Sequence, residues 1–131
     1  MKLPDEARLR RGRAAVISCQ RRDCDICLKA CGFTAISRDE NGLPFSDPNK
    51  CVGCGGCVAI CPDMAIRLIK DRFDGTYEHT LPFRGELPEI GDEIPASPIA
   101  GGEESLCRVI QALPKRPAGA SALVRVVMNS I

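Results

Sequence analysis

The sequence predicts an α+β fold: a duplicated half of strands and short helices over residues 14–70, followed by a β-rich extension over 71–131. Three observations lead to it. Cys24, Cys27 and Cys31 recur thirty residues later as Cys54, Cys57 and Cys61, and Ala35-Ile36 recurs as Ala65-Ile66. Self-similarity at a fixed spacing marks one supersecondary unit used twice. The second half of the chain instead alternates short β-branched and aliphatic stretches with six prolines, Pro82, Pro88, Pro95, Pro98, Pro114 and Pro117, which argues against a helical bundle. Finally, the chain has 131 residues with nine cysteines, no tryptophan, four Phe and one Tyr, so a large aromatic core is not available. Something else must help to hold so small a chain together.

Residues 1–13 form a basic arm. Lys2, Arg8, Arg10, Arg11, Arg13, Arg21 and Arg22 all fall in the first 22 residues. Such a run can face nucleic acid or an acidic protein surface. With no aromatic interleaving and no nucleic-acid module, it reads as a solvated or partner-facing segment and no nucleic-acid partner is expected. The charged start, broken by Pro4, is no secretory signal, and no apolar run suggests a membrane span. A cytoplasmic location is therefore expected. Disulfides are disfavoured there, so closely spaced cysteines point to metal binding or redox work.

The repeat then begins. Ala14–Ile17 is predicted as a strand entering the first cysteine loop, 28–31 as a helical turn and 34–37 as extended chain. Residues 40–49, ENGLPFSDPN, form a turn-rich connection. The second loop leads into a short helix at 58–61 and a strand at 65–69. The two halves are expected to pack through Val16, Ile26, Phe33, Ile36, Val52, Ile60, Ile66 and Leu68.

The second loop reads Cys51-x2-Cys54-x2-Cys57-x3-Cys61-Pro62. Two residues between cysteines give a tight loop that wraps a metal centre. Gly53, Gly55 and Gly56 supply backbone angles other residues resist and let amides approach sulfur. Three residues between Cys57 and Cys61 make one helical turn, which the proline stops. This is the iron–sulfur run of bacterial ferredoxins, whose fourth cysteine ligates the other cluster. The first loop, Cys19-x4-Cys24-x2-Cys27-x3-Cys31-Gly32, is two residues wider and lacks the proline. Paired Cys-x2-Cys loops also bind zinc. Eight cysteines in two groups of four, with this rhythm, favour iron–sulfur.

Residues 14–70 thus resemble a bacterial-type dicluster ferredoxin domain. The resemblance implies a ferredoxin-like, pseudo-two-fold dicluster domain and two [4Fe–4S] clusters with crossed ligation. Cluster one would use Cys31, Cys51, Cys54 and Cys57, and cluster two Cys19, Cys24, Cys27 and Cys61. If the widened loop withholds Cys19, the second site becomes a [3Fe–4S] cluster or takes another ligand. Each oxidised cluster with its thiolates adds roughly −2, which turns the formal +1 of the chain into about −3. Arg21, Arg22 and Lys29 near the first loop are expected to offset part of it.

In the extension, 76–81, 105–113 and 123–128 read as strands, among three to five in all. The alternative is an arm that orders on a partner. His79, the only histidine, and Cys107 are expected as packed or surface residues, and Glu103-Glu104 as a solvated turn. Removing the extension is expected to leave the iron spectrum largely intact.

There is no dinucleotide loop and no nucleophile–base set, so no catalytic residues and no substrate chemistry of the chain's own are expected. The function expected is electron transfer through the two clusters. The basic arm and long extension suggest docking surfaces, hence a hetero-oligomer. The layout is similar to the small dicluster subunits that accompany FAD-dependent amino-acid or amine dehydrogenases, which implies flavoprotein dehydrogenase partners. The alternatives are a free-standing ferredoxin and an iron–sulfur regulatory or nucleic-acid-binding module.

Overall fold

The computed structural model describes residues 3–117 and 119–131. Lys2 of the basic arm lies outside the described residues. In chain order the elements are α1 (Glu6–Arg10), β1 (Ala14–Ile17), α2 (Ile26–Ala30), β2 (Ile36–Arg38), β3 (Pro44–Ser46), α3 (Gly56–Ile60), β4 (Ile66–Asp71), β5 (Tyr77–Phe83), β6 (Glu93–Ala96), β7 (Ser105–Leu113) and β8 (Ala122–Met128).

The N-terminal segment departs from expectation. Asp5 caps α1, its carboxylate accepting from the Arg8 amide at 2.8 Å. Arg8 is not solvated: its guanidinium donates to the carbonyl oxygens of Pro48 (2.6 Å), Gly12 (3.0 Å), Arg13 (2.9 Å) and Cys51 (2.8 Å). A planar donor fork at the centre of four carbonyls fastens the arm to the second cysteine loop. Leu9, beside it, is fully buried with Ala14, Val16 and Ile69.

The main sheet has six strands in the order β1-β4-β5-β8-β7-β6, with every neighbouring pair antiparallel. The boundary expected at 70/71 falls inside β4. That strand pairs with β1 from Ala14↔Ile69 to Ile17↔Ile66, and with β5 from Leu68↔Thr80 to Asp71↔Tyr77. Residues 71–131 are therefore a continuation of the same sheet rather than an arm. Pro82 and Pro95, read as strand breaks, lie within β5 and β6. β5 pairs with β4 only up to Thr80, so Pro82 has a ladder partner on one side alone and its missing N–H costs little.

Side-chain alternation assigns each face a core. Ala15, Ile17, Ile66, Leu68 and Leu123 face α3 and the cysteine loops. Val124, Val126 and Met128, on the opposite face of β8, pack with Val109, Cys107 and Ala96. Of the expected core residues, Ile26, Phe33 and Val52 are 40%, 52% and 56% exposed, Ile60 is only half-buried, and Val16 packs with Leu9, Ala14 and Ile69 on the opposite face of the sheet. Phe33 and Val52 border the cysteine-lined cavity instead of each other. A small separate hairpin pairs β2 with β3, placing a strand within the stretch read as connection.

Candidate functional site

Two helices of one turn each position the cysteines. In α2 the Cys31 amide donates to the Cys27 carbonyl at 3.2 Å, and in α3 the Cys61 amide donates to Cys57 at 3.1 Å. Each helix stops there because the next residues leave helical geometry, Cys31 and Cys61 having ψ of 108° and 119°. The second loop needs its glycines. Gly53 has φ +74°, and a Cβ there would sit 2.5 Å from the Arg13 carbonyl oxygen. Gly55 has φ +82°, and a Cβ would come within 3.2 Å of Leu123 Cδ1.

The fold brings distant cysteines together across the repeat. Cys31 joins Cys51, Cys54 and Cys57 around a cavity walled by Ala15, Ile36 and Leu68. The Cys57 thiol is pushed up to about 12, first by burial and then by repulsion from Cys51 and Cys54, with Cys31 adding a smaller share. Cys27 is raised by burial, then by repulsion from Cys61 and Cys24. Cys31 thus belongs electrostatically with the second loop, and Cys61 with the first. Cys19 packs against the same core, and its sulfur accepts from the Arg21 amide at 3.3 Å. Ala15 N–H points at Cys51 Sγ at 3.5 Å.

Of the four cysteines around this cavity, Cys57 holds its proton tightly when alone and becomes a thiolate when a positive centre compensates its charge. That donor set fits a [4Fe–4S] cluster. Among the described residues, no three His, Cys, Asp or Glu side chains close on a single metal ion.

The basic residues near the first loop are matched locally. Arg21 pairs with Asp23 (3.2 Å) and Asp63 (3.0 Å), Lys29 with Asp25 (3.1 Å), and Arg22 donates to the Asn41 carbonyl (2.7 Å).

The extension reaches this site. The amides of Ala120 and Ser121 both donate to the Ala59 carbonyl of α3, at 2.7 and 3.0 Å, and Arg84 donates to the Pro62 carbonyl at 2.8 Å. Leu123 closes the core beneath Gly55. Sequence reading missed Leu123, Arg8 and Ser46. Ser46 lines the four-cysteine cavity, and its buried hydroxyl has no hydrogen-bond partner among the described residues. No local signal marks Ser46, because Pro44, Phe45 and Ser46 bury the serine and leave the phenylalanine half-buried, the reverse of hydrophobic alternation. His79 and Cys107 are buried in the extension, and neither borders the cysteine cavity. Glu103 and Glu104 are exposed, as expected of a turn.

Among the described residues no helix is long and apolar enough to cross a membrane. Residues 43–66 match the family model described as a 4Fe-4S binding domain. The chain is similar to a subunit of the Na(+)-translocating ferredoxin:NAD(+) oxidoreductase complex of Acetobacterium woodii, 44% identical over 45 residues, which cover 34% of this chain and 14% of that protein. It is similar to the thiosulfate reductase electron transfer subunit of Salmonella typhi, 44% identical over 46 residues, 35% of this chain and 24% of the relative. It also resembles a tetrathionate reductase subunit of Archaeoglobus fulgidus, 38% identical over 53 residues, 39% of this chain and 26% of the relative. The chain thus spans about a quarter or less of each of these curated relatives. No solved structure matches the chain.

Proposed function

We propose that this chain holds two [4Fe–4S] clusters in a ferredoxin-like, pseudo-two-fold arrangement and transfers electrons as the small iron–sulfur subunit of a flavin-dependent oxidoreductase complex. The observation that supports this most is the exchange of fourth cysteines, Cys31 toward Cys51, Cys54 and Cys57, and Cys61 toward Cys24 and Cys27. Cys19 completes the second set. When bound, each cluster supplies a one-electron couple with little change in bonding.

The residues of the chain do the rest. Arg8 holds the second loop by the Cys51 carbonyl, Leu123 and Ala59 seal the apolar side, and Cys54 is the exposed thiol through which the first set meets solvent. Exposed Phe73, Ile90 and Leu106 on the extension suit contact with a larger partner. An amino-acid or amine dehydrogenase flavoprotein is the partner proposed. The named relatives, an ion-translocating oxidoreductase subunit and a reductase electron-transfer subunit, support subunit status in general terms. The burial of Arg8 weighs against a nucleic-acid-binding arm.

Anaerobic purification tests the reading. About eight irons per chain, brown colour and no zinc are expected, together with a co-purifying flavoprotein that reduces the irons when given an amine or amino acid. Colourless, iron-free material overturns it.

A further inference from the structure

We propose that Ser46 donates its hydroxyl hydrogen to a sulfur of the cluster held by Cys31, Cys51, Cys54 and Cys57, and so raises that cluster's reduction potential. This rests on the reading of two bound clusters.

Ser46 is 7% exposed, and its Oγ is buried with no partner among the described residues. Leaving a buried hydroxyl without a hydrogen bond is costly, so such a group has a reason. The buried Ser121 shows the usual outcome, its Oγ accepting from Arg84 Nε at 3.3 Å. Ser46 stands directly opposite Ile36 in the β2–β3 ladder, and opposed residues share a face. That face looks on the cavity: Ile36 packs with Cys57, and Ile36 and Ser46 both line the space the four cysteines surround. Sulfur of an iron–sulfur cluster is an anionic acceptor, and hydrogen bonds to it are among the levers that set potential. The bond strengthens as the cluster gains negative charge, so it favours the reduced state.

The repeat makes this one-sided. Ile66, thirty residues after Ile36, has Ile17 opposite it in the β1–β4 ladder. A hydroxyl faces one site and a hydrocarbon occupies the counterpart position, which adds a difference between the two couples beyond that of the loops themselves.

The test is redox titration of the full chain, purified anaerobically and followed by electron paramagnetic resonance. Ser46→Ala is expected to lower one couple by about tenfold in its reduction equilibrium constant, ~59 mV for one electron. The couple that moves is the one lost in Cys57→Ser, and the other stays. Ser46→Thr, which keeps the hydroxyl, leaves both in place. Should the alanine variant lose iron, Ser46→Val is compared with Ser46→Thr, because valine has the shape of threonine without its hydroxyl. A lowered couple then supports the proposal and an unmoved one overturns it. Full iron with neither couple moved overturns the role of Ser46 alone. A wild-type chain without iron overturns the cluster reading instead.

Discussion

Thr34 and Met64, thirty residues apart, hold the same left-handed backbone, with φ of 52° and 54°. Each donates its amide to the carbonyl of the cysteine three residues earlier, Cys31 at 3.3 Å and Cys61 at 3.4 Å. The two halves of the repeat therefore share a turn that neither residue type favours. Left-handed geometry costs a non-glycine residue about 1–2 kcal/mol. Met64→Gly and Thr34→Gly should be neutral or stabilising by up to ~1 kcal/mol, glycine's unfolded-state entropy offsetting part of the relief. Met64→Ile should destabilise by about 1 kcal/mol, because a β-branched side chain tolerates this region least. Thermal bleaching of the visible absorbance would register each.

Cys57 and Cys61 lie on one helical turn yet should serve different clusters. Cys57→Ser is expected to remove one couple and Cys61→Ser the other, each leaving roughly half the iron. If both variants lose the same couple in redox titration, the crossed assignment is wrong.

Leu123 belongs to the extension but to the core of the cysteine half. Leu123→Ala should cost about 2–4 kcal/mol, as buried leucine truncations do, and hasten loss of iron to a chelator. Truncation after residue 71 strips β5 and β8 from the sheet and both donors from Ala59. It should yield an aggregating, iron-poor product, contrary to what sequence alone suggests. A brown, monomeric truncation would show that the cysteine half stands unaided.

His79 is fully buried, with Nε2–H donating to the Ser130 carbonyl at 3.0 Å and Nδ1 accepting from Arg67 at 3.1 Å. Burial first, then the Arg67 charge, lowers its pKa from 6.5 to about 4. The unfolded chain therefore takes up a proton that the folded chain refuses. Stability from this source is complete above pH 6.5, falls as pH drops toward 4, and totals roughly 3 kcal/mol. His79→Gln should flatten the slope of stability against pH in that window. Denaturant melts at pH 7.5 and 5 would reveal it, and an unchanged slope would refute it.

The cysteine loops were legible because ligand chemistry leaves a rigid spacing: Cys51 through Pro62 reads as a sequence before any fold is known. β1, α3 and three strands of the extension, β5, β7 and β8, were legible from alternation and short apolar runs, whereas Pro95 hid β6. Long-range packing was not. Nothing local in Leu123 says it will meet Gly55, and nothing in Arg8 says that the carbonyls of Pro48 and Cys51, 40 and 43 residues on, will join those of Gly12 and Arg13 around it. β3 was missed because its three residues begin with Pro44 and lie between Gly42 and Pro48, which speak for turns. Phe33 and Val52 were misplaced because hydrophobicity predicts burial in general, but not whether the surface covered is protein or cofactor.

The continuous sheet has a consequence for the order of events in biosynthesis. Ala14 waits for Ile69, and Phe83 for Ala122, before either ladder can close. Such distant pairings form slowly, and the apolar lid over the second loop comes from β8. The second loop is therefore expected to close over its ligands only once β8 has joined the sheet, so recovery of iron and completion of the ladder through Met128 should rise together on refolding.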